Sequence, residues 1–99
     1  MNKIVLITGG AQGIGRAIAI ELAKQGYDIV INYLTSSKEA ESLKEMIIEQ
    51  YNVRCMIVKC DVSKEDKVDE MVSLIEDTFG GVDILINNAA IDLSNLFHL

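Results

Sequence analysis

The chain has 99 residues, of which 49% are hydrophobic and 24% are charged, and its formal net charge is −6 at pH 7. This length suffices for one small domain. The negative charge argues against binding through nucleic-acid phosphates or anionic lipid, and no apolar run approaches the roughly 20 residues that span a bilayer. Small molecules or proteins are therefore the expected partners.

Strand-like and helix-like segments alternate along the whole chain. Four apolar segments are predicted to be strands: residues 4–8, 28–33, 53–59 and 82–86. Between them, apolar residues recur at helical spacing: Ala17, Ile18 and Leu22; then Ala40, Leu43, Met46 and Ile47; then Val68, Met71, Val72, Ile75 and Phe79. The predicted element order is βαβαβαβ.

Residues with known capping preferences mark the predicted helix ends. They are Gly26 after the first helix, Ser36 or Ser37 before the second, Ser63 with Asp66 at N3 before the third, and Gly80 and Gly81 after it. Because β–α–β crossovers are right-handed, the first two helices are expected on one face of the sheet. The predicted fold is a Rossmann-type, doubly wound α/β sheet with strand order 3-2-1-4.

A glycine cluster, Thr8-Gly9-Gly10-Ala11-Gln12-Gly13-Ile14-Gly15, lies between the first strand and the first helix. We expect Gly9 to form the turn, Gly13 to allow close approach of a ligand and Gly15 to pack helix against strand. The spacing differs from both G-x-G-x-x-G and Walker A, so a phosphate-binding P-loop is not expected. A glycine-rich turn without a ligand is the alternative interpretation of this segment taken alone.

Two further motifs follow the third and fourth strands, Asp61-Val62 and Asn87-Asn88-Ala89. Together with Thr8-Gly9-x-x-x-Gly13-x-Gly15, and in this order, they resemble the short-chain dehydrogenase/reductase family along the whole chain. With Asn32-Tyr33 after the second strand, the sequence is most similar to the 3-oxoacyl-acyl-carrier-protein reductase branch. The resemblance implies an NAD(P)-dependent oxidoreductase that reduces a carbonyl compound.

The resemblance also implies which residues bind the dinucleotide: the glycine segment with its pyrophosphate and ribose, Asp61 and Val62 with adenine, and Asn88 and Ala89 with the adenosine ribose. The full predicted set is Gly9, Gly10, Ala11, Gln12, Gly13, Ile14, Gly15, Asn32, Tyr33, Leu34, Ser36, Asp61, Val62, Asn87, Asn88, Ala89 and Ala90. Ala90 stands where the family usually has glycine, and it adds a methyl group close to the expected cofactor.

Some of these residues have an alternative, structural interpretation. Asp61 can cap the turn before Ser63 through neighbouring backbone N–H groups. Asn87 and Asn88 can satisfy backbone groups at the strand end. Arg16 is a candidate phosphate partner or simply an exposed helical arginine. These alternatives stay open at the level of sequence.

The end of the second strand bears on cofactor choice, because a carboxylate there favours the ribose 2′-hydroxyl of NAD. Asn32, Tyr33 and Leu34 supply none, and Lys38 and several hydroxyl side chains follow. NADP(H) is therefore predicted over NAD(H), although Gln12 stands where a basic residue would strengthen that preference.

Cys55 and Cys60 are predicted to be buried free thiols on opposite faces of the third strand, since their spacing suits neither a C-x-x-C pair nor a metal site. No metal is expected. The first residues do not read as a signal peptide, so a cytoplasmic location is predicted.

None of Tyr27, Tyr33 and Tyr51 has a lysine four residues later, and His98 is the only histidine. The family's catalytic tyrosine, lysine and serine lie in its later half, so we assign no catalytic residue and give His98 no role. We expect an N-terminal, cofactor-binding part of a reductase, inactive alone, that self-associates through the apolar edge at residues 82–86. The alternative is a stand-alone nucleotide-binding or protein-interaction module.

Overall fold

A computed structural model of the chain describes residues 2–88. It contains four strands and three helices in strict alternation. In chain order they are β1 (Ile4–Ile7), α1 (Gly13–Lys24), β2 (Asp28–Tyr33), α2 (Ser37–Tyr51), β3 (Cys55–Lys59), α3 (Glu65–Phe79) and β4 (Ile84–Ile86). Within residues 2–88, no helix is long and apolar enough to cross a membrane.

The strands form one parallel sheet in the order β3-β2-β1-β4, as predicted. Ile4 pairs with Asp28, Val5 with Ile84, and Ile29 with Cys55. All four carboxyl ends therefore meet at one edge of the sheet. This edge holds the segments that the sequence analysis singled out, and the chain reverses its direction of winding there, between β1 and β4.

The sheet separates two apolar cores. On one face, β1 and β2 pack under α1 and α2, with Ala19, Ala23, Leu43 and Ile47 buried. On the other face, α3 buries Val68, Met71 and Ile75. The predicted side of each helix is confirmed, except that Ala17 is exposed. Cys55 lies in the first core and Cys60 in the second, so the two thiols are on opposite faces as predicted.

Two strands are shorter than their apolar runs predicted. β3 begins at Cys55 rather than at residue 53, and Asn52, in a left-handed conformation (φ 53°), ends α2 shortly before it. β4 begins at Ile84 rather than at residue 82, because the Asp83 carboxylate accepts the Ile4 N–H at 2.8 Å. The residues of β4 are only half-buried.

Two predicted caps differ from the structure. Ser63 does not cap α3: that helix has Lys64 as its N-cap, and Ser63 bonds to Asp61 instead. Ser36 does occupy the N-cap of α2, but its side chain makes no capping hydrogen bond. Gly26 ends α1 with φ 94°, and Gly80 ends α3 with φ 92°, both as predicted.

A polar cluster fastens the amino ends of the strands. The buried Asp28 carboxylate accepts hydrogen bonds from the Arg54 backbone N–H at 2.9 Å, from Arg54 Nε at 2.9 Å and from Asn2 Nδ2 at 3.1 Å. The Arg54 guanidinium also lies 4.2 Å from the centre of the Phe79 ring. We call Asn2, Asp28, Arg54 and Phe79 the amino-end cluster. This cluster was not predicted from the sequence, although an aspartate at the start of an apolar strand is a usable signal.

Candidate cofactor site

The glycine segment follows β1 and opens toward solvent at the carboxyl edge of the sheet. Gly9 has φ 64° and Gly13 has φ 56°, a left-handed conformation that favours glycine. A Cβ built on Gly13 would meet no atom within 4 Å. The backbone at Gly13 is therefore bare and accessible, which is what close approach of a diphosphate requires.

Gly15 is the tightest position of this segment. A Cβ there would fall on the Gly9 carbonyl oxygen, and it would lie 2.9 Å from both Gly10 Cα and Asn88 Nδ2. Two of these three neighbours are backbone atoms, which cannot rotate away. Gly15 thus allows the first turn of α1 to lie directly against the loop.

Asn32, at the penultimate position of β2, anchors the glycine segment to the sheet. Its side-chain Oδ1 accepts the Gly9 N–H at 3.2 Å, and its backbone carbonyl accepts the Gly10 N–H at 3.0 Å. Its Nδ2 donates to the Cys60 carbonyl at 3.1 Å. Asn32 is 3% exposed, so its amide is used within the protein to join β1, β2 and β3. Cofactor contact at Asn32 was predicted from the sequence and stays a prediction, whereas this bracing role was not predicted.

Thr8 and Asn88 connect the ends of β1 and β4. Thr8 is fully buried; its backbone N–H donates to the Ile86 carbonyl at 3.1 Å, and its hydroxyl accepts the Asn88 N–H at 3.0 Å. Asn88 Nδ2 in turn donates to the Gly9 carbonyl at 3.1 Å. Asn88 therefore bonds to neighbouring groups at the strand ends, as its structural interpretation predicted. Its amide restrains the very loop on which a cofactor would lie.

The amino end of α1 supplies donors for an anion. Arg16 is the first residue of α1 whose N–H bonds to a carbonyl one turn earlier, that of Gln12 at 3.2 Å. The N–H groups of Gly13, Ile14 and Gly15 precede it, in the turn where helical N–H groups lack partners within the helix. The first turn carries no acidic residue, so the helix dipole and these donors favour a phosphate.

A cavity of about 120 Å³ lies between the glycine segment and the end of β2. It is lined by Gly9, Ala11, Gln12, Tyr33, Leu34, Thr35 and Ser36. Five of the predicted cofactor residues thus join Gly9 around one small space. Leu34 also lines a neighbouring cavity together with Cys60 and Asp61. The residue predicted to contact adenine, Asp61, therefore lies next to the cavity at the end of β2, where the ribose is predicted.

Asp61 folds back on the turn that follows β3. Its Oδ1 accepts the Ser63 backbone N–H at 3.0 Å and the Ser63 hydroxyl at 2.6 Å. These two hydrogen bonds lower the pKa of the Asp61 carboxyl from 3.8. The capping alternative for Asp61 is therefore realised, and direct contact with adenine stays a prediction.

The two thiols are not reactive groups of this site. Burial raises the pKa of Cys55 to about 12. Burial, with Asp61 and Glu70 adding to it, also raises the pKa of Cys60 above 9.0. Both cysteines are protonated at neutral pH and lack the thiolate that nucleophilic chemistry needs. Within residues 2–88, no group of three or more acidic, histidine or cysteine side chains is placed to hold a metal ion.

The structure thus gathers most of the predicted residues at one edge. Ile14 is 73% exposed there, and Asn87 is also exposed. Val62 follows Asp61 and packs partly against the core under α3. Ala89 and Ala90 lie outside the described residues.

Similarity to known proteins identifies the family of this chain. The family model described as short chain dehydrogenase matches residues 3–98. The chain belongs to the short-chain dehydrogenase/reductase family. The glycine segment, Asp61-Val62 and Asn87-Asn88-Ala89, on which the predicted resemblance rested, all lie within the matched residues.

Two relatives differ in how much of their own length the chain covers. It is 43% identical over 96 residues to 3-oxoacyl-[acyl-carrier-protein] reductase FabG of Staphylococcus epidermidis, which covers 97% of this chain and 39% of that protein. It is 46% identical over 91 residues to the short-chain dehydrogenase/reductase homolog YusS of Bacillus subtilis, covering 92% of this chain and 83% of that one. The chain therefore spans about two fifths of the first relative and most of the second.

Among solved structures, the chain is similar to L-sorbose reductase from Gluconobacter frateurii, complexed with NADPH and L-sorbose. The TM-score is 0.84 at 37% identity, over 91% of this chain and 34% of that one. Acetoin dehydrogenase YohF from Salmonella typhimurium has a TM-score of 0.77 at 28% identity. The predicted fold and family are confirmed.

Proposed function

We propose that this chain binds NADP(H) as the cofactor-binding part of an oxidoreductase that reduces a carbonyl group, in the manner of a 3-oxoacyl-acyl-carrier-protein reductase. The observation that carries the proposal is the shape of the glycine segment. Gly15 and Asn88 fix the loop from behind, while Gly13 leaves its outer side open. A loop that is rigid on one side and bare on the other is suited to hold a diphosphate.

The residues present fit a nicotinamide dinucleotide. The N–H groups of Gly13, Ile14 and Gly15 would receive the pyrophosphate, and the small cavity beside Tyr33 would receive the adenosine ribose. When bound, the cofactor supplies a hydride for the carbonyl carbon. The chain's own residues hold and orient the cofactor, and we assign no proton transfer to any of them.

The preference for NADP(H) over NAD(H) rests on charge at the end of β2. The cavity there is lined by Tyr33, Leu34, Thr35 and Ser36, none of which carries a carboxylate that would repel a 2′-phosphate. The L-sorbose reductase to which the chain is similar was solved with NADPH. Both observations support the phosphorylated cofactor.

A second candidate is a stand-alone nucleotide-binding or interaction module without catalysis. The match to YusS over 83% of that protein favours keeping it, because the remainder of YusS is short. The intact mass of the product made in its native cell separates the candidates. A longer product with a Tyr-x-x-x-Lys motif supports the reductase, and a product of this length without NADPH oxidation supports the module.

Two accompanying features belong to the same proposal. The first is self-association through β4, which lies at an edge of the described sheet with half-buried apolar residues. Light scattering over a concentration series tests it, and a monomer at every concentration would contradict it.

The second is a cytoplasmic location, with which two buried cysteines outside any disulfide are compatible.

Calorimetric titration with NADPH tests cofactor binding on a matched pair of variants. Gly13→Ala and Gly26→Ala each place a methyl group in open space at a positive φ, so each costs about 1 to 2 kcal/mol of stability. Only Gly13 lies at the proposed site, and Gly26 lies at the other end of α1. We expect Gly13→Ala to lose NADPH affinity and Gly26→Ala to retain it. Equal affinity of the two variants would contradict the proposed site.

A further inference from the structure

A cavity of about 440 Å³ lies at the amino edge of the sheet, at the opposite end from the candidate cofactor site. Its volume falls within the range of roughly 300 to 1,000 Å³ that is typical of pockets for small organic molecules. The end of α2 and the amino ends of β2 and β3 border it, and its lining comprises Asn2, Asp28, Ile48, Asn52, Val53 and Arg54. None of these residues was predicted to bind the dinucleotide, so the cavity is separate from the proposed cofactor site.

Arg54 is the residue of this cavity that has hydrogen-bonding capacity left over. Its backbone N–H and its Nε both donate to Asp28, and its guanidinium lies 4.2 Å from the centre of the Phe79 ring. These contacts fix the guanidinium, although the side chain is 46% exposed. Its two Nη groups donate to no residue within the described range 2–88. A guanidinium that is already held in place loses little conformational freedom when its free end binds a ligand.

A carboxylate is the group that fits the free end of this guanidinium. Two parallel N–H···O hydrogen bonds can join the arginine fork to the two oxygens of a carboxylate. Because Asp28 occupies Nε, both Nη groups would bind the ligand end-on. The Asp28 carboxylate is buried and already accepts three hydrogen bonds within the protein. Its negative charge offsets that of Arg54, which limits the affinity for a single carboxylate and disfavours a doubly charged phosphate.

The rest of the cavity wall favours a hydrocarbon group next to that carboxylate. Ile48, on α2, is 46% exposed, and Val53 lies between α2 and β3. A branched hydrocarbon in contact with these two side chains removes apolar surface from water. Asn52 is exposed, and its side-chain amide, which bonds to no described residue, gives the cavity a polar rim. The cavity therefore pairs one fixed cation with a small apolar surface.

We propose that this cavity binds a small aliphatic carboxylate. The carboxylate oxygens accept hydrogen bonds from the Nη groups of Arg54, and the hydrocarbon packs against Ile48 and Val53. The inference is independent of the proposed function, because the site lies at the amino edge and includes no residue of the glycine segment. It adds a ligand site to a region whose other polar groups are bonded within the protein.

An NMR titration of the nitrogen-15-labelled chain with 4-methylpentanoate tests the inference, at constant pH and ionic strength. The matched neutral molecule is 4-methylpentanamide, and acetate is the carboxylate that lacks the branched hydrocarbon. We expect 4-methylpentanoate to shift the amides of Ile48, Asn52, Val53 and Arg54, with a Kd on the order of 1 mM. The amide and acetate should each bind about tenfold more weakly.

Three variants assign the binding to the proposed residues. Arg54→Lys keeps a positive charge beside Asp28 but removes the fork, and we expect it to weaken binding of 4-methylpentanoate about tenfold. Arg16→Lys is the matched control, because it makes the same substitution on α1, outside this cavity, and it should leave the Kd unchanged. Ile48→Ser, which removes part of the apolar surface, should weaken binding about threefold.

Several results would overturn the inference. They are a titration without shifts at the amino edge, equal binding of the acid and its amide, and wild-type affinity in Arg54→Lys. If Arg54→Lys fails to fold, as judged from its amide spectrum, the comparison of acid with amide on the unaltered chain decides the role of the charge. Ile48→Ser then decides the location, and wild-type affinity in that variant overturns the proposed site.

Discussion

The two ends of the sheet are built in opposite ways. At the amino ends of the strands, the amino-end cluster uses the Asp28 carboxylate for three hydrogen bonds, and Asp83 holds the Ile4 N–H. At the carboxyl ends, the loop after β1 is braced only from behind, by Asn32 and Asn88. Its outer side presents the first turn of α1 and two cavities.

Stability and cofactor-binding capacity are therefore located at opposite ends of the sheet. Polar groups that are fully bonded within the protein stabilise it and have little left for a ligand. Bare backbone and open space contribute nothing to the fold until a ligand occupies them. Variants at the two ends should therefore separate stability from cofactor affinity.

The largest expected effect is that of Gly15→Ala, at the carboxyl end. The new methyl group would fall against the Gly9 carbonyl and Gly10 Cα, and this backbone cannot yield cheaply. We expect the free energy of unfolding to drop by about 3 kcal/mol, together with loss of NADPH binding. Urea denaturation measures the first effect and calorimetric titration the second. A variant as stable as the wild type would show that the loop is not braced in this way.

The second largest effect is expected at the amino end. Asp28→Asn there removes the negative charge of the carboxylate that accepts hydrogen bonds from Arg54 and Asn2. We expect a loss of about 2 kcal/mol in the free energy of unfolding, and no change in NADPH affinity. Urea denaturation and titration of the same sample provide the check. Weakened cofactor binding at unchanged stability would contradict the separation of the two ends.

The same carboxylate predicts a pH dependence. Burial by itself raises the pKa of Asp28, but the hydrogen bonds from the Arg54 backbone, Asn2 and the Arg54 side chain outweigh it and hold the pKa below 3.8. A pKa lowered by folding stabilises the protein above the unfolded-state value, and this contribution is lost as pH falls through the folded-state value. The stability gap between wild type and Asp28→Asn should therefore be full at pH 6 and shrink below about pH 4. A gap that persists at pH 2.5 would contradict this origin.

An intermediate effect is expected from Asn32→Asp. A carboxylate can still accept the Gly9 N–H, but it repels the Cys60 carbonyl to which Nδ2 now donates. We expect NADPH affinity to fall about tenfold at pH 8. It should recover as the pH is lowered, because the protonated acid regains a donor. Asn88→Asp, which removes the donor to the Gly9 carbonyl at a solvent-exposed residue, is the comparison. A pH-independent loss in Asn32→Asp would argue against bracing.

Ser63→Ala should have the smallest effect. It removes the 2.6 Å hydrogen bond to Asp61, which is the largest cause lowering the pKa of that carboxyl. We expect the Asp61 pKa to rise toward its usual value while the fold is unchanged. Carbon-13 NMR titration of the aspartates measures it. An unmoved Asp61 pKa would mean that the Ser63 hydroxyl does not hold this turn.

Much of the fold could be predicted from the sequence, because apolar periodicity reports which face of an element is buried. Ala40, Leu43 and Ile47 on α2, and Val68, Met71 and Ile75 on α3, were found in this way. Right-handed crossovers then fixed the strand order. The turn predicted at Gly9 is also present, where the backbone adopts the left-handed conformation that glycine favours.

What could not be predicted depends on hydrogen bonds between residues far apart in sequence, or on local competition for them. The Asp28–Arg54 pair spans two strands, and the side chain of Asn32 gave no sign of facing inward. Ser63 has the chemistry of a helix cap, yet Asp61, two residues earlier, takes its hydrogen bonds. Residue type shows which side chains can form such hydrogen bonds, and their neighbours in the fold determine which hydrogen bonds they form.

The most direct test of the central claim is an NMR titration of the nitrogen-15-labelled chain with NADPH. If the carboxyl end is the cofactor site, amide shifts should change in four segments: residues 9–16, 32–38, 60–63 and 87–88. The amides of Asp28, Arg54 and Phe79 at the amino end should stay in place. Shifts confined to the amino end, or none at saturating NADPH, would contradict the claim.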